Sequence, residues 1–288
     1  MDGLVIRSMG GFYNVLCGNE ILDCKPRGIF RKEKTVIVVG DKVEAEKLTD
    51  TTGVITKLKE RANLFARPPI ANLDKMFIVI SAAYPAPDTL FADKLTVICE
   101  NNKVEPIIVF NKSDLADVSD LDNAYKMAGY KTLLVTATEG KGIDALYELT
   151  KGSICGFAGF SGVGKSSIIS QLTNLAIETG SVSARLGRGK HTTRHVELFP
   201  LNENTLIADT PGFSSLDIMQ TDIKKDELPY LFHEFEEYLG LCKFTTCSHT
   251  KEKGCAVCEA VENGRIAKSR HESYISLYEQ LKKRPSWE

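Results

Sequence analysis

The run Gly159-Phe160-Ser161-Gly162-Val163-Gly164-Lys165-Ser166-Ser167 fits the pattern G-x-x-x-x-G-K-[ST] and follows the apolar stretch Ser153–Ala158. Glycines let successive backbone N–H groups curl around a β-phosphate without Cβ clashes. The lysine then reaches the β/γ oxygens, and the hydroxyl of Ser166 is placed to ligate Mg²⁺. The helix expected over Lys165–Leu175 points its positive N-terminus at the same anion. Such a loop needs a strand before it and a helix after it, and the surrounding sequence supplies both repeatedly. Apolar runs at Met76–Ala82, Pro106–Phe110, Thr132–Val135 and Ile154–Phe160 are separated by helical spacing, with Phe91, Leu95 and Ile98 on one stretch and Ile143, Leu146 and Tyr147 on another. Strands alternating with helices predict a parallel, doubly wound sheet over residues 70–218.

Two further elements narrow the nucleotide. Asp209-Thr210-Pro211-Gly212 follows the apolar run Thr205–Ala208, a D-x-x-G arrangement in which the aspartate orders a Mg²⁺-bound water and the N–H of Gly212 senses a γ-phosphate. Asn111-Lys112-Ser113-Asp114 follows another strand and fits N-K-x-D, in which the aspartate accepts from the N1–H and exocyclic amine of guanine. Adenine offers no such donor pair, which argues against an ATPase or a small-molecule kinase. Thr136-Ala137-Thr138 ends a third strand and resembles the short element whose backbone N–H meets the guanine O6. The competing reading of Asn111 and Asp114 is that they cap the following helix. Both base-reading elements precede the phosphate loop in the chain, whereas ordinary GTPases place them last. The order is therefore circularly permuted, and the segment after Gly212 runs directly into the C-terminal region.

The flanking regions differ in texture. Residues 1–69 alternate short apolar runs with turn signals, at Leu4–Arg7, Phe12–Cys17, Gly28–Phe30, Thr35–Val39 and Gly53–Lys57, predicting a small β-barrel. Arg67-Pro68-Pro69 reads as a linker. Residues 219–288 read as mainly helical around Cys242-x₄-Cys247-x-His249-x₅-Cys255, three thiolates and one imidazole suited to a closed tetrahedral zinc site of structural type. Cys258 lies close by and leaves a Cys255–Cys258 redox pair as the alternative. The other cysteines, at 17, 24, 99 and 155, are scattered and read as packing residues.

The permuted order, the GFSGVGKSS loop, the DTPGF element and the Cys/His cluster together resemble the ribosome small-subunit-dependent GTPase family, circularly permuted bacterial ribosome-assembly GTPases with an OB-fold and a zinc domain. Gly53-Val54-Ile55 and the run from Arg61 to Pro68 resemble the end of that family's OB-fold. The resemblance implies three domains: an OB-fold at 1–69, a permuted P-loop GTPase at 70–218 and a zinc domain at 219–288. It also implies GTP hydrolysis stimulated by the small ribosomal subunit and a role in late maturation of that subunit, with hydrolysis releasing the protein. The alternative is a GTP-regulated RNA-binding switch whose hydrolysis is incidental. Phe213 keeps that alternative open, since it stands where Ras-like enzymes carry a water-orienting glutamine and a phenyl ring cannot hydrogen-bond water. Within the stretch 187–195, Thr193 is favoured over Thr192 to complete the Mg²⁺ shell. His191 is the candidate for positioning the attacking water; otherwise His191 and His195 are solvated or touch rRNA phosphate.

The average charge of the chain hides local basic runs. A net charge of −2 and a pI of about 6.3 argue against a nucleic-acid binder. Yet residues 241–284 hold nine Lys/Arg against five Asp/Glu, and the loop 181–195 carries Arg185, Arg188, Lys190 and Arg194 with no acid. Residues 25–34 hold Lys25, Arg27, Arg31, Lys32 and Lys34 against Glu33, and together these runs are expected to grip RNA phosphates. Of Phe12, Tyr13 and Phe30, at least two are expected in the barrel core. A cytoplasmic monomer with partners GTP/GDP and the small subunit with its rRNA is expected, with no membrane contact.

Overall fold

The computed structural model describes residues 1–179, 196–202, 204–209, 213 and 216–284. Five strands open the chain: β1 (Asp2–Met9), β2 (Phe12–Cys17), β3 (Glu20–Pro26), β4 (Lys42–Lys47) and β5 (Thr52–Leu58), with the short helix α1 (Gly28–Lys32) between β3 and β4. They pair in the order β1-β2-β3-β5-β4, and β4 returns to β1, so the sheet closes into a barrel and leaves no edge. Its interior is packed by Val5, Val15, Leu22, Val43 and Ile55 on alternating positions. Phe30 joins this core and Tyr13 packs against it, while Phe12 stays exposed under the Lys25 ammonium.

Two sequence readings fail here. Gly28–Phe30 forms a helix, and Thr35–Val39 runs without strand pairing except for a single bridge from Val39 to Ile70. The strands β3 and β4 were hidden because their outward residues are charged, leaving only two or three inward apolar positions each. Arg67-Pro68-Pro69 is not a free linker either. It joins β6 (Leu64–Ala66) to β7 (Pro69–Ala71) in a hairpin whose Phe65 and Ile70 are buried in the sheet core. The barrel is fastened to this hairpin by close backbone approach. Gly40 has φ 87°, and a Cβ there would lie 2.0 Å from the Ala71 carbonyl oxygen. Asn72 donates to the Gly40 carbonyl at 2.8 Å, and Arg61 holds buried Asp41 with two bonds of 2.6 and 2.8 Å.

The central unit comprises β8 (Lys75–Ser81), α2 (Thr89–Asn101), β9 (Glu105–Asn111), α3 (Ser119–Met127), β10 (Lys131–Val135), α4 (Ile143–Thr150), β11 (Ile154–Ala158), α5 (Lys165–Glu178), β12 (Glu197–Asn202) and β13 (Thr205–Asp209). The strand order is β10-β9-β8-β11-β13-β12, parallel except for β12. Neighbouring strand residues face opposite sides. Met76, Ile78 and Ile80 pack under α2 and α3, while Phe77 and Val79 pack under α4 and α5. The chain runs outward from β8 to β10 and then re-enters beside β8 as β11. The strand order therefore reverses between β8 and β11, and ligands of open α/β sheets sit at the carboxyl ends of strands at such a point. Strand β12 also pairs with β1 through Arg7 and Glu197, joining the barrel to the same sheet.

The C-terminal part contributes 3₁₀ turns at Ile218–Gln220, Leu228–Leu231 and His233–Tyr238, then α6 (Ala256–Glu262) and α7 (Lys268–Lys282). Its core of Phe232, Phe235, Tyr274 and Leu277 continues onto Val97 of α2. Helix α2 thus buries one face in the central sheet and another against the C-terminal part. No helix among the described residues is long and apolar enough to cross a membrane.

Candidate nucleotide site and metal centre

The loops after β8, β9, β10 and β11 converge at the carboxyl edge of the sheet. Asn111, the last residue of β9, is buried and divides its amide between two loops: Nδ2 donates to the Val163 carbonyl at 2.8 Å, and Oδ1 accepts from the Ala137 N–H at 3.1 Å. It caps no helix; α3 begins at Ser119 with Val118 before it. Asn111 therefore ties the phosphate loop to the Thr136-Ala137 loop. Lys112 Nζ donates to the Gly162 carbonyl at 2.8 Å and also to the Tyr84 carbonyl. Ser113 Oγ lies 3.2 Å from the Val135 carbonyl and from Thr136 Oγ1. These bonds leave Asp114 exposed and uncommitted at the mouth.

The phosphate loop itself depends on glycine. Gly164 has φ 97°, and a Cβ there would sit 2.1 Å from Asn111 Nδ2, so any side chain would push the base-reading strand away. Gly159 approaches the Val79 carbonyl so closely that a Cβ would lie at 2.4 Å. Lys165 opens α5 and turns back over the loop, donating to the Gly159 and Phe160 carbonyls at 2.6 and 2.8 Å. Burial holds its ammonium below the ordinary lysine range. No carboxylate pairs with it among the described residues, so its positive charge is available to an anion. Ser161, Ser166 and Ser167 are exposed around the loop, Val163 is buried beneath it, and the Phe160 ring lies 4.2 Å from that of Phe91 on α2.

Asp209 ends β13, the neighbour of β11, at the same carboxyl edge. Phe213 is fully buried, edge-on to Phe65 at 5.8 Å. Its ring also faces Gly156 of β11, where a Cβ would lie 2.9 Å away. Phe213 thus packs into the sheet core instead of facing the nucleotide loops. Thr193, His191 and Gly212, together with the basic loop 181–195, lie outside the described residues.

At the other end of the C-terminal part, Cys242, Cys247, His249 and Cys255 bring their donor atoms within 4.8 Å of one another. Sγ of Cys242 lies 3.9 Å from Sγ of Cys255, and each lies 3.5 Å from Nδ1 of His249. A tetrahedron with Zn–S of about 2.3 Å and Zn–N of about 2.0 Å requires separations of about 3.8 and about 3.5 Å, so the donor set fits zinc. Backbone N–H groups of Ala256 and Cys258 point at the Cys242 and Cys255 sulfurs at 3.4 and 3.5 Å. His271 and Tyr274 bond the carbonyls of His249 and Ser248, both at 2.7 Å, which fixes the loop from behind. Burial pushes the thiols of Cys247 and Cys255 up to about 12 and holds the imidazole of His249 below its usual range, so a cation is what would stabilise the thiolates. The Cys258 thiol turns to the His249 carbonyl at 3.9 Å and stays out of the cluster. The cysteines at 17, 24, 99 and 155 are all buried.

One cluster escaped the sequence reading. Arg270 of α7 is 1% exposed and reaches across to α2, where it meets Asp93 at 2.6 Å; it also meets Glu234 at 2.7 Å. Its guanidinium lies against the rings of Phe232, Tyr130 and Tyr125 at 4.7, 5.2 and 5.6 Å. No local motif marks it, because its partners stand 177 and 36 residues away in the chain.

A permuted P-loop sheet with converging phosphate and base-reading loops, a closed barrel before it and a Cys/His centre after it defines the class of circularly permuted GTPases. The family models agree: one described as RsgA GTPase matches residues 58–219, and one described as RsgA N-terminal domain matches residues 2–55. Relatives named "Small ribosomal subunit biogenesis GTPase RsgA" include that of Geobacillus sp. (strain WCH70), 42% identical over 98% of both chains. The relative of that name from Caldanaerobacter subterraneus is 40% identical over 99% of this chain and 97% of its own. Among solved structures, YjeQ from Thermotoga maritima superposes with a TM-score of 0.84 at 35% identity, covering 99% of each chain. YloQ, described as a circularly permuted GTPase, superposes with a TM-score of 0.81 at 36% identity, covering 99% of this chain and 96% of its own. The chain belongs to the RsgA GTPase family and is a GTP hydrolase. That membership disfavours a module in which hydrolysis is incidental.

Proposed function

We propose that this GTPase acts on the small ribosomal subunit in the cytoplasm, as a monomer, binding its rRNA in the GTP state and leaving after hydrolysis once the subunit has matured. The observation that carries the nucleotide half is the tie made by Asn111 between the Val163 carbonyl and the Ala137 N–H. Through it, phosphate recognition and base recognition share one rigid frame. The names of the relatives support the ribosomal half. The work divides among residues 1–69, which hold rRNA, residues 70–218, which hydrolyse GTP, and residues 219–288, which zinc keeps folded.

In this reading Gly159–Ser167 wraps the β-phosphate, and Lys165 neutralises charge between the β and γ groups. Asp114 accepts the two guanine donors, Lys112 and Ser113 hold its loop, and the Thr136-Ala137 loop, held by Asn111 through the Ala137 N–H, borders the base. Ser166 and Thr193 would hold magnesium, which would supply positive charge to the phosphates, and Asp209 would order a water bound to it. The N–H of Gly212 senses the γ-phosphate. His191 orients the attacking water. Since Phe213 is committed to the core, no side chain at that position assists, and turnover is slow until the small subunit stimulates it.

Turnover titrated with purified small subunits tests both halves. The expected outcome is marked stimulation for wild type and its loss in His191→Ala with subunit binding retained. Absence of stimulation in wild type would return the protein to the switch reading, and stimulation undiminished in His191→Ala would remove that histidine from the reaction.

A further inference from the structure

Beside the metal loop the surface opens into a groove of about 580 Å³, within the range of specific ligand sites. Its walls include Tyr230, Phe244 and Tyr278, with Lys225 and Thr245 also in the lining, and its floor reaches the metal donors Cys242, Cys247 and His249. Two of the rings are turned outward without apolar cover: Tyr230 is 73% exposed and Phe244 is 52% exposed. Lys243 stands over the Phe244 ring at 5.6 Å, placing a cation beside an open aromatic face.

The metal loop that forms one side of this groove carries an excess of cations for a local reason. The metal loop carries Lys243, Lys251 and Lys253 against the single acid Glu252. That carboxylate is folded inward: it accepts from the backbone N–H groups of Ser248, Thr250 and Lys251 and from the Ser248 hydroxyl. These bonds spend the carboxylate on the loop's own backbone. None of the three lysines has a carboxylate partner among the described residues. Asp226 is the acid on the groove wall.

Exposed aromatic rings with the cations Lys225 and Lys243 beside them match two needs of an unpaired nucleotide, a stacking platform and neutralisation of the phosphate. We propose that this groove takes one unpaired base of single-stranded RNA, stacked on Phe244 with Tyr230 closing the other side and Lys243 and Lys225 on the flanking phosphates. The inference rests on the ribosomal reading and deepens it, giving the C-terminal part a contact that reads RNA shape instead of charge alone.

The test uses the full chain with zinc bound and a single-stranded RNA oligonucleotide carrying 2-aminopurine, whose fluorescence is quenched by stacking. The expected result is quenching on binding and a loss of affinity of about 5- to 150-fold in Phe244→Ala, the range for one stacked base. Phe244→Trp restores binding. Lys243→Ala instead lowers the salt dependence, by about 0.7 in slope, and leaves quenching at saturation unchanged. Zinc content and subunit-free GTP turnover, both expected unchanged, show that Phe244→Ala is folded. Binding without quenching, or equal affinity for wild type and Phe244→Ala, overturns the groove as a base site. So does normal RNA affinity combined with lost subunit stimulation in Phe244→Ala, which would assign the groove to a protein. Wild-type stimulation by subunits, measured in parallel, fails only if the ribosomal reading itself is wrong.

Discussion

Lys165 and Arg270 are both cations withdrawn from water, and their surroundings could hardly differ more. Arg270 meets two carboxylates and lies against three aromatic rings, so its charge is consumed within the protein. Among the described residues Lys165 bonds two backbone carbonyls and no carboxylate, and the carbonyl dipoles orient it but do not neutralise it. The contrast separates structure from site. A buried cation with its counter-ions holds elements together, here α7 to α2, while one held by dipoles alone keeps a net charge for an incoming anion.

The largest expected effect breaks the structural side. Arg270→Ala leaves Asp93 and Glu234 as uncompensated acids and should cost roughly 3–5 kcal/mol by urea denaturation. A triple replacement, Arg270→Met with Asp93→Asn and Glu234→Gln, should recover most of that loss. If the single variant is as stable as wild type, the ion cluster is ornamental and the contrast fails.

Next comes the site. Lys165→Ala should lower GTP turnover by roughly 100-fold or more while leaving the urea midpoint within experimental error, the reverse of the arginine variant. Because burial depresses the Lys165 pKa, the nucleotide-free lysine loses its proton at lower pH than an ordinary lysine, and bound phosphates should restore it. GTP binding at alkaline pH should therefore take up protons, visible as a buffer-dependent enthalpy in calorimetry and absent in Lys165→Ala.

The smallest effect sharpens the boundary between the two. His233 bonds Glu100 of α2 at 2.8 Å and stacks on Tyr130 at 5.4 Å, and the carboxylate raises its pKa. A raised folded-state pKa means that its contribution is complete below the unfolded value of about 6.5 and fades as pH rises through the folded one. The melting temperature gap between wild type and His233→Gln should narrow as pH rises above about 6.5. A pH-independent gap would leave packing on Tyr130 as the whole of its role.

The nucleotide loops were legible in the sequence because their chemistry is local. Gly159 to Ser167 is one contiguous run, and Asn111-Lys112-Ser113-Asp114 is another; each carries its own backbone requirement. The Cys₃His set was legible for the same reason, its four donors lying within 14 residues from Cys242 to Cys255. The barrel was harder. Strands β3 and β4 show charge on their outer faces and too few inward residues to mark a period, so the apolar runs at Gly28 and Thr35 drew attention to the wrong segments.

What the sequence determined by itself is the set of short-range demands: a glycine-rich loop between a strand and a helix, an N-K-x-D run after another strand, a cluster of thiol and imidazole donors, and the permuted order. Only the tertiary structure decided that Asn111 joins the two nucleotide loops, that Phe213 is core, that the prolines at 68 and 69 lie in a packed hairpin, and that Arg270 fastens α7 to α2. The physical reason is distance along the chain. A motif is readable when its partners are neighbours in sequence, whereas Arg270 and Asp93, 177 residues apart, acquire meaning only when folding brings opposite charges together out of water.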